Sequence, residues 1–296
     1  MLRQVVDWLR IRPSGIYVDA TAGTGGHLLE IASRLESGRV IGIDRDPNAL
    51  ETVRARLQER PELKERVILV NANFSQIGEV VADAVQSHLG IGTVDGVLAD
   101  LGISTLELDT PERGFSFRWA GPLDMRMNPA QELTAAWIVN HWPEKELADL
   151  LYQKAEERDS RRIAKAIVRA RPIRDTGHLA TVVAGACNAR GRQRLHPATK
   201  TFLALRIAVN RESEELEQFL SRTPATISPE GRWVMLSYHS LEDRQVKHAF
   251  QQLGRTGDFH ILTKKVIAPD LGEVAENPRA RSAKLRVAER AKAAHS

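Results

Sequence analysis

The segment Asp19-Ala-Thr-Ala-Gly-Thr-Gly-Gly-His27 sets Gly23, Gly25 and Gly26 directly behind an apolar run, where a chain without side chains can turn sharply and approach a ligand. A ligand-binding loop follows from that. Asp44 closes a second apolar run about twenty residues on, the spacing at which a carboxylate accepts both ribose hydroxyls of a nucleoside. Loop and carboxylate together point to a nucleoside-containing cofactor. Charge then separates the candidates, because a dinucleotide would set its anionic pyrophosphate against the loop, where Asp19 repels it. S-adenosylmethionine has no phosphate. Its ammonium and sulfonium groups are stabilised by an acidic pocket, and the loop also departs from the G-x-G-x-x-G spacing, so a methyl donor is preferred over a nicotinamide cofactor. Asp19 has a competing role as a cap of the following helix, and Asp44 or Asp46 as a cap of a helix starting near Pro47. Asp100, in Leu98-Ala99-Asp100-Leu101-Gly102, ends a further apolar run where substrate and donor methyl should meet. Phe74 is placed to lie against an adenine ring, or else to fill the core.

These residues need a scaffold that brings strand ends together. The pattern predicts strands at Ile16–Asp19, Val40–Asp44, Val67–Val70 and Val94–Asp100, alternating with helices at Gly26–Leu35, Pro47–Arg60 and Ser75–Leu89. Repeated βα units imply an α/β fold with a doubly wound, mostly parallel sheet. The rhythm stops between Asp109 and Arg206, where helices are expected at Leu133–His141, Glu144–Ala155, Ser160–Ala170 and His178–Cys187. That stretch reads as an inserted all-helical domain. Beyond it come a long helix Ala198–Leu220, a strand Arg232–Ser237, a helix Leu241–Leu253, and strands Phe259–Ile267 and Ala283–Glu289, with Gly272–Ser282 as a loop. The expected division is 1–108 with 207–296 around an insertion at 109–206.

Of the 296 residues, 42% are hydrophobic and 27% charged, and no stretch reaches the ~18 consecutive apolar residues of a membrane span. A soluble, cytoplasmic protein is expected, since Met1-Leu2-Arg3-Gln4 leads into an amphipathic pattern rather than a secretion signal. Cys187 is the only cysteine, which excludes an internal disulfide framework and a multi-thiolate metal site. Net charge is +4 but uneven, with residues 1–104 at −3 and the remainder at +7. Within 158–206 twelve basic residues face two acidic ones, a density that suits a polyanion such as nucleic acid.

Several longer segments resemble one family over nearly the whole chain. Besides the glycine loop they are Asp100-Leu-Gly-Ile-Ser104, Pro111-Glu-Arg-Gly-Phe-Ser-Phe117, Pro122-Leu-Asp-Met-Arg-Met127, Ser160-Arg-Arg-Ile-Ala164, His196-Pro-Ala-Thr-Lys-Thr-Phe202, Leu205-Arg-Ile-Ala-Val-Asn210, Tyr238-His-Ser-Leu-Glu-Asp-Arg244 and Asn277-Pro-Arg-Ala-Arg-Ser282. They are similar to the ribosomal RNA small subunit methyltransferase H family, also called MraW. The resemblance implies a Rossmann-like class I methyltransferase that uses S-adenosylmethionine for N4-methylation of a cytidine, cytidine 1402, in the decoding region of 16S rRNA. Partners would be 16S rRNA, in the small ribosomal subunit, with no membrane; a homodimer is left open. Family donor contacts map onto Gly25, Gly26, His27, Asp44, Phe74 and Asp100. Where the family carries a glutamine after the fourth strand, this chain has Glu107, which cannot donate the hydrogen bonds of an amide. The His-x-Pro-Val segment that precedes the family's first helix is missing.

Methyl transfer to an exocyclic amine is an in-line displacement that needs positioning and charge placement, and no metal. The amine's lone pair is delocalised into the ring, so acceptors must grip its N–H groups. Asp100, Ser104, Asp124 and His239 are the candidates, with a salt bridge to Arg126 or Arg113 competing for Asp124 and a helix cap for His239. The base must be unpaired or flipped, and Phe115, Phe117 and Trp119 are stacking candidates, or else insert packing. A non-catalytic rRNA-binding or assembly factor of the same fold is the alternative.

Overall fold

Apolar runs of four to seven residues with no polar face can be buried only at the centre of a sheet covered on both sides, and β1 (Ile16–Asp19) has all four residues buried. The computed structural model describes residues 1–89, 92–187 and 196–292. Its chain runs α1 (Leu2–Leu9), β1, α2 (Gly26–Ser33), β2 (Arg39–Asp44), α3 (Pro47–Glu59), β3 (Val67–Asn71), α4 (Ile77–Leu89) and β4 (Val94–Asp100). Then follow α5 (Thr105–Asp109), α6 (Ala135–His141), α7 (Glu144–Ala155), α8 (Ser160–Arg169), α9 (Thr176–Ala186) and α10 (Thr199–Val209). The last elements are α11 (Glu212–Thr226), β5 (Ile227–Ser237), α12 (Ser240–Thr256), β6 (Phe259–Ile261), α13 (Leu271–Glu276) and β7 (Lys284–Arg290). No described helix is long and apolar enough to cross a membrane.

Two compact units result, Met1–Gly102 with Glu214–Ser296, and Ile103–Ser213. The second unit is wider at both ends than the stretch 109–206 because Ile103 and Val209 pack into its core, and Asn210 bonds within it. The first unit holds one seven-stranded sheet in the order β3-β2-β1-β4-β5-β7-β6. Strands β1 to β5 pair in parallel, and β7 lies antiparallel between β5 and β6. The direction of winding reverses between β1 and β4, the crevice at which open α/β sheets bind ligands. Register puts Asp19 beside Gly42 and Leu98, Asp44 beside Asn71, and Asp100 beside Leu236. All three carboxylates therefore end at the same edge. The two sheet faces are covered separately: Phe219, Trp233 and Phe250 centre one core, and Leu28, Ile31 and Leu50 the other.

Three expectations are corrected. The helix Ala198–Leu220 is two helices, because Asn210 ends α10 and Arg211 adopts a left-handed φ of 51°. Asn210 is drawn off the helix by Met125 and Met127, donating to the carbonyl of the first at 2.7 Å and accepting from the amide of the second at 2.8 Å. The strand Phe259–Ile267 stops at Ile261, since the Thr263 hydroxyl takes the Val287 N–H at 2.9 Å and displaces the backbone from the ladder. Only a bridge from Ile267 to Leu285 continues it. Gly272–Ser282 is not a loop but α13 followed by a 3-10 turn, with the Asp270 carboxylate capping the Glu273 N–H at 2.7 Å.

Asn210→Ala would remove the side-chain bonds to the buried Met125 carbonyl and Met127 amide, each loss costing about 1–3 kcal/mol. Urea denaturation should show a loss of about 2–6 kcal/mol; a change under ~0.5 kcal/mol would show that Asn210 does not hold this corner.

Candidate functional site

The glycine loop is shaped by its own backbone bonds before any ligand is considered. Gly23 and Gly25 take φ values of 50° and 84°, and at Gly25 a Cβ would meet the Val53 methyl at 3.1 Å. A side chain there is strained twice over. The Ala22 amide donates to the Ile43 carbonyl at 2.8 Å, and the Gly23 amide donates to Asp44 Oδ2 at 2.7 Å. Asp44 Oδ1 accepts the Asp46 amide at 2.9 Å, so one carboxylate ties loop to strand end while its remaining lone pairs stay open to a diol. Asp46, not Asp44, caps α3, accepting from Asn48 at 3.0 Å. At Gly26, where α2 begins, a Cβ would meet nothing within 4 Å.

On the other side of the crevice, Asp100 is gripped from three directions. Its amide donates to Thr21 Oγ1 at 2.7 Å, the Tyr238 hydroxyl donates to its Oδ1 at 2.8 Å, and His27 Nδ1 stands 3.5 Å from its Oδ2. Burial pushes the Asp100 carboxyl up, against the opposing pull of His27 and the Tyr238 bond. Burial likewise lowers His27, which Asp100 only partly offsets. Desolvation raises the Tyr238 hydroxyl, and the neighbouring Asp100 charge adds to it, so the phenol keeps its proton and stays a donor.

Asp19 is 1% exposed. Its Oδ1 accepts from the Thr21 amide at 3.2 Å, while Oδ2 is buried without a partner, as is His27 Nε2. Burial drives the Asp19 carboxyl up to about 7, against the Thr21 bond and reinforced by Asp100 and Asp44. Three carboxylates and two orphaned polar atoms at one strand edge fit a ligand that brings positive charge and hydrogen-bonding groups. S-adenosylmethionine is such a ligand, and an anionic pyrophosphate is not.

The structure brings together Asp19, Gly25, Gly26, His27, Asp44 and Asp100. Phe74, just after β3, is half-buried and meets Phe219 edge-on at 5.2 Å, so part of its ring belongs to the core. His239 is the N-cap of α12: its Nδ1 accepts from the Glu242 amide at 3.4 Å and its Nε2 lies 2.9 Å from Glu242 Oε1. Asp124, in the second unit, binds Arg126 through both oxygens at 2.7 and 2.8 Å, and these bonds outweigh burial and hold its carboxyl below the usual range. Ser104 and Glu107, also there, form a capping box on α5. Glu107 Oε2 accepts from the Ser104 amide at 2.8 Å and hydroxyl at 3.0 Å, and Ser104 Oγ accepts from the Glu107 amide at 3.2 Å. A carboxylate serves that box as well as a glutamine would, and the Ser-x-x-Glu spacing carried the signal. Phe117 meets His196 at 4.7 Å with the rings tilted by 35° and Phe202 at 4.9 Å, Phe115 is buried, and Trp119 is 62% exposed. Reading strand ends alone missed Thr21 and Tyr238, since nothing in the sequence pairs them with Asp100.

Asp19→Asn tests the loop. With a native carboxyl near 7 against an unfolded value of 3.8, the folded state holds a proton that the unfolded chain has lost, so Asp19 costs stability as pH rises from ~4 to ~7. The variant, free of donor, should gain up to ~4 kcal/mol at pH 8 and nothing at pH 4 in denaturant titrations. Equal effects at both values would show that Asp19 is not desolvated.

A model of the MraW methylase family matches residues 1–291. The ribosomal RNA small subunit methyltransferase H of Koribacter versatilis (strain Ellin345) is 49% identical, covering 97% of this chain and 92% of its own. That of Solibacter usitatus (strain Ellin6076) is 49% identical, covering 98% of both. Among solved structures an rRNA methylase from Streptococcus thermophilus is similar at 10% identity and a TM-score of 0.45, covering 98% of this chain and 94% of that one. With its acidic glycine loop in place, its methyl donor S-adenosylmethionine, and near half of its residues shared end to end with these relatives, the chain belongs to the MraW methylase family.

Proposed function

We propose that the protein methylates N4 of a cytidine in the decoding region of 16S rRNA. The carrying observation is the placing of Asp100 at the winding reversal of the sheet, in a chain whose relatives, matched over 92% and 98% of their length, are named ribosomal RNA small subunit methyltransferase H. Bound S-adenosylmethionine supplies an electrophilic methyl group. Asp19, Gly25, Gly26, His27, Asp44 and Phe74 hold the donor: Asp44 accepts ribose hydroxyls, Asp19 faces positive charge, and the glycines let the backbone come close.

Asp100 accepts an N–H of the cytosine amine, which localises the nitrogen lone pair, and takes the proton once nitrogen has formed its bond to carbon. A desolvated carboxyl is a stronger base than one in water; Tyr238 donates to Oδ1, and Oδ2, which His27 Nδ1 approaches to 3.5 Å, takes the proton. Asp124 is held ionised by Arg126 and His239 and Ser104 are helix caps, so this reading gives the proton to none of them. The base edge is reached only in an unpaired or flipped nucleotide. Basic residues of the second unit hold the surrounding phosphates; Arg190, Arg192 and Arg194 of that group lie outside the described residues.

Labelled donor incubated with small ribosomal subunits from cells that lack the modification should place one label on one cytidine N4. The assembly-factor reading predicts binding without label. Asp100→Asn should lower kcat by roughly 10²–10⁴ with RNA affinity unchanged. Asp44→Ala should abolish donor binding in calorimetry and retain RNA affinity; unaltered donor affinity would remove Asp44 from the ribose role.

A further inference from the structure

Helix α8 has two unlike faces. Ile163, Ala164 and Ile167 are buried in the core of the second unit, while Arg161, Arg162, Lys165 and Arg169 are exposed. Arg162, Lys165 and Arg169 recur at i, i+3 and i+7 and so form one stripe. Between them Ala166, Ala170 and Ala186, the last residue of α9, are too small to fill the space, and an open cavity of about 460 Å³ is left with the three cations on its wall.

Two other arginines of this unit are neutralised at close range, Arg126 by Asp124 at 2.7 Å and Arg206 by Glu212 at 2.8 Å. Along the stripe only Arg162 approaches a carboxylate, Asp159 at 3.8 Å. Among the described residues Lys165 and Arg169 have no ion-pair partner. The C-terminal dipole of α8 offsets part of the charge at Arg169 and does little for Arg162, two turns earlier. Like charges held on one helical stripe repel, and an anion in the cavity relieves that repulsion.

We infer that the α8–α9 cavity is a docking site for the sugar–phosphate backbone of RNA, gripping the substrate strand by charge without reading its sequence. The inference rests on the RNA substrate proposed above. Two features favour a phosphodiester chain over a single small anion. The cations span ~10 Å of helix, more than one phosphate can bridge. They are also solvent-exposed, and among the described residues no buried polar side chain builds an enclosed anion pocket with them.

The test combines Arg162→Ala, Lys165→Ala and Arg169→Ala, all exposed positions where alanine favours helix. A control combines Arg3→Ala, Arg54→Ala and Lys64→Ala, which removes the same charge from exposed positions of the other unit. With a single-stranded rRNA fragment as probe, the α8 variant should lose roughly tenfold in affinity at ~0.1 M salt, and its slope of log affinity against log salt should fall by ~2. The loss should be similar for unrelated RNA sequences. The control should keep both values, and S-adenosylhomocysteine affinity should stay that of the parent protein. Unchanged RNA affinity and salt slope in the α8 variant would overturn the inference, as would an equal loss in the control, which would assign the effect to net charge. Inorganic phosphate should release RNA no better than chloride at matched ionic strength; preferential release would replace the RNA site with a single-anion site. Methyl transfer reads the proposed function separately. Transfer by the α8 variant at the parent KM for RNA sinks the cavity alone, whereas an absence of transfer by the parent protein, with the RNA-binding loss of the α8 variant still seen, sinks the activity alone.

Discussion

The arrangement of the first unit depends on three carboxylates kept close together and away from water at one edge of a parallel sheet. Each is expensive to bury, and each is held by donors that the fold provides: Thr21 for Asp19, Gly23 and Asp46 for Asp44, Tyr238 for Asp100. Only Asp19 is left with an unanswered oxygen, and its carboxyl responds by rising to about 7. A site of this kind is under-satisfied by design of its geometry. It gains most from a ligand that carries positive charge, which is why an acid-lined loop discriminates a sulfonium donor from a pyrophosphate before any contact with the rest of the ligand is made.

The same economy of donors separates side chains partnered within their own segment from those partnered at a distance. Asp124, His239, Ser104 and Glu107 all lie in conspicuous polar motifs, and each is committed to a local bond within a few residues: an ion pair to Arg126, the first turn of α12, the two halves of a capping box. Short-range polar partners of this sort are set by sequence spacing and form wherever the helix forms. Asp100 differs because its partners come from two distant places in the chain, Thr21 and His27 from the glycine loop and Tyr238 from beyond β5. A carboxylate whose environment is built from distant segments is available for tuning. One satisfied by its neighbours is not.

Much of the site was legible in the sequence. Apolar runs ending in Asp19, Asp44 and Asp100 fixed the strands, and a parallel sheet forces such ends to one edge, so their convergence follows from period and connectivity alone. The glycines announced the loop because only residues without a Cβ accept its positive φ values. Identity of the donor followed from charge, and the second unit's basic excess followed from counting. Structure was needed wherever a side chain overruled local pattern. Asn210 breaks an amphipathic run because Met125 and Met127, more than eighty residues away, compete for it. Thr263 ends a strand early by taking an amide of β7, and Asp270 folds a presumed loop into α13. Tyr238 reaches Asp100 across 138 positions, a pairing that no periodicity encodes. Spacing determined which elements exist and where the acids stand; tertiary contact alone decided which acid draws its partners from distant residues, since hydrogen bonds between distant residues depend on packing that the local sequence does not contain.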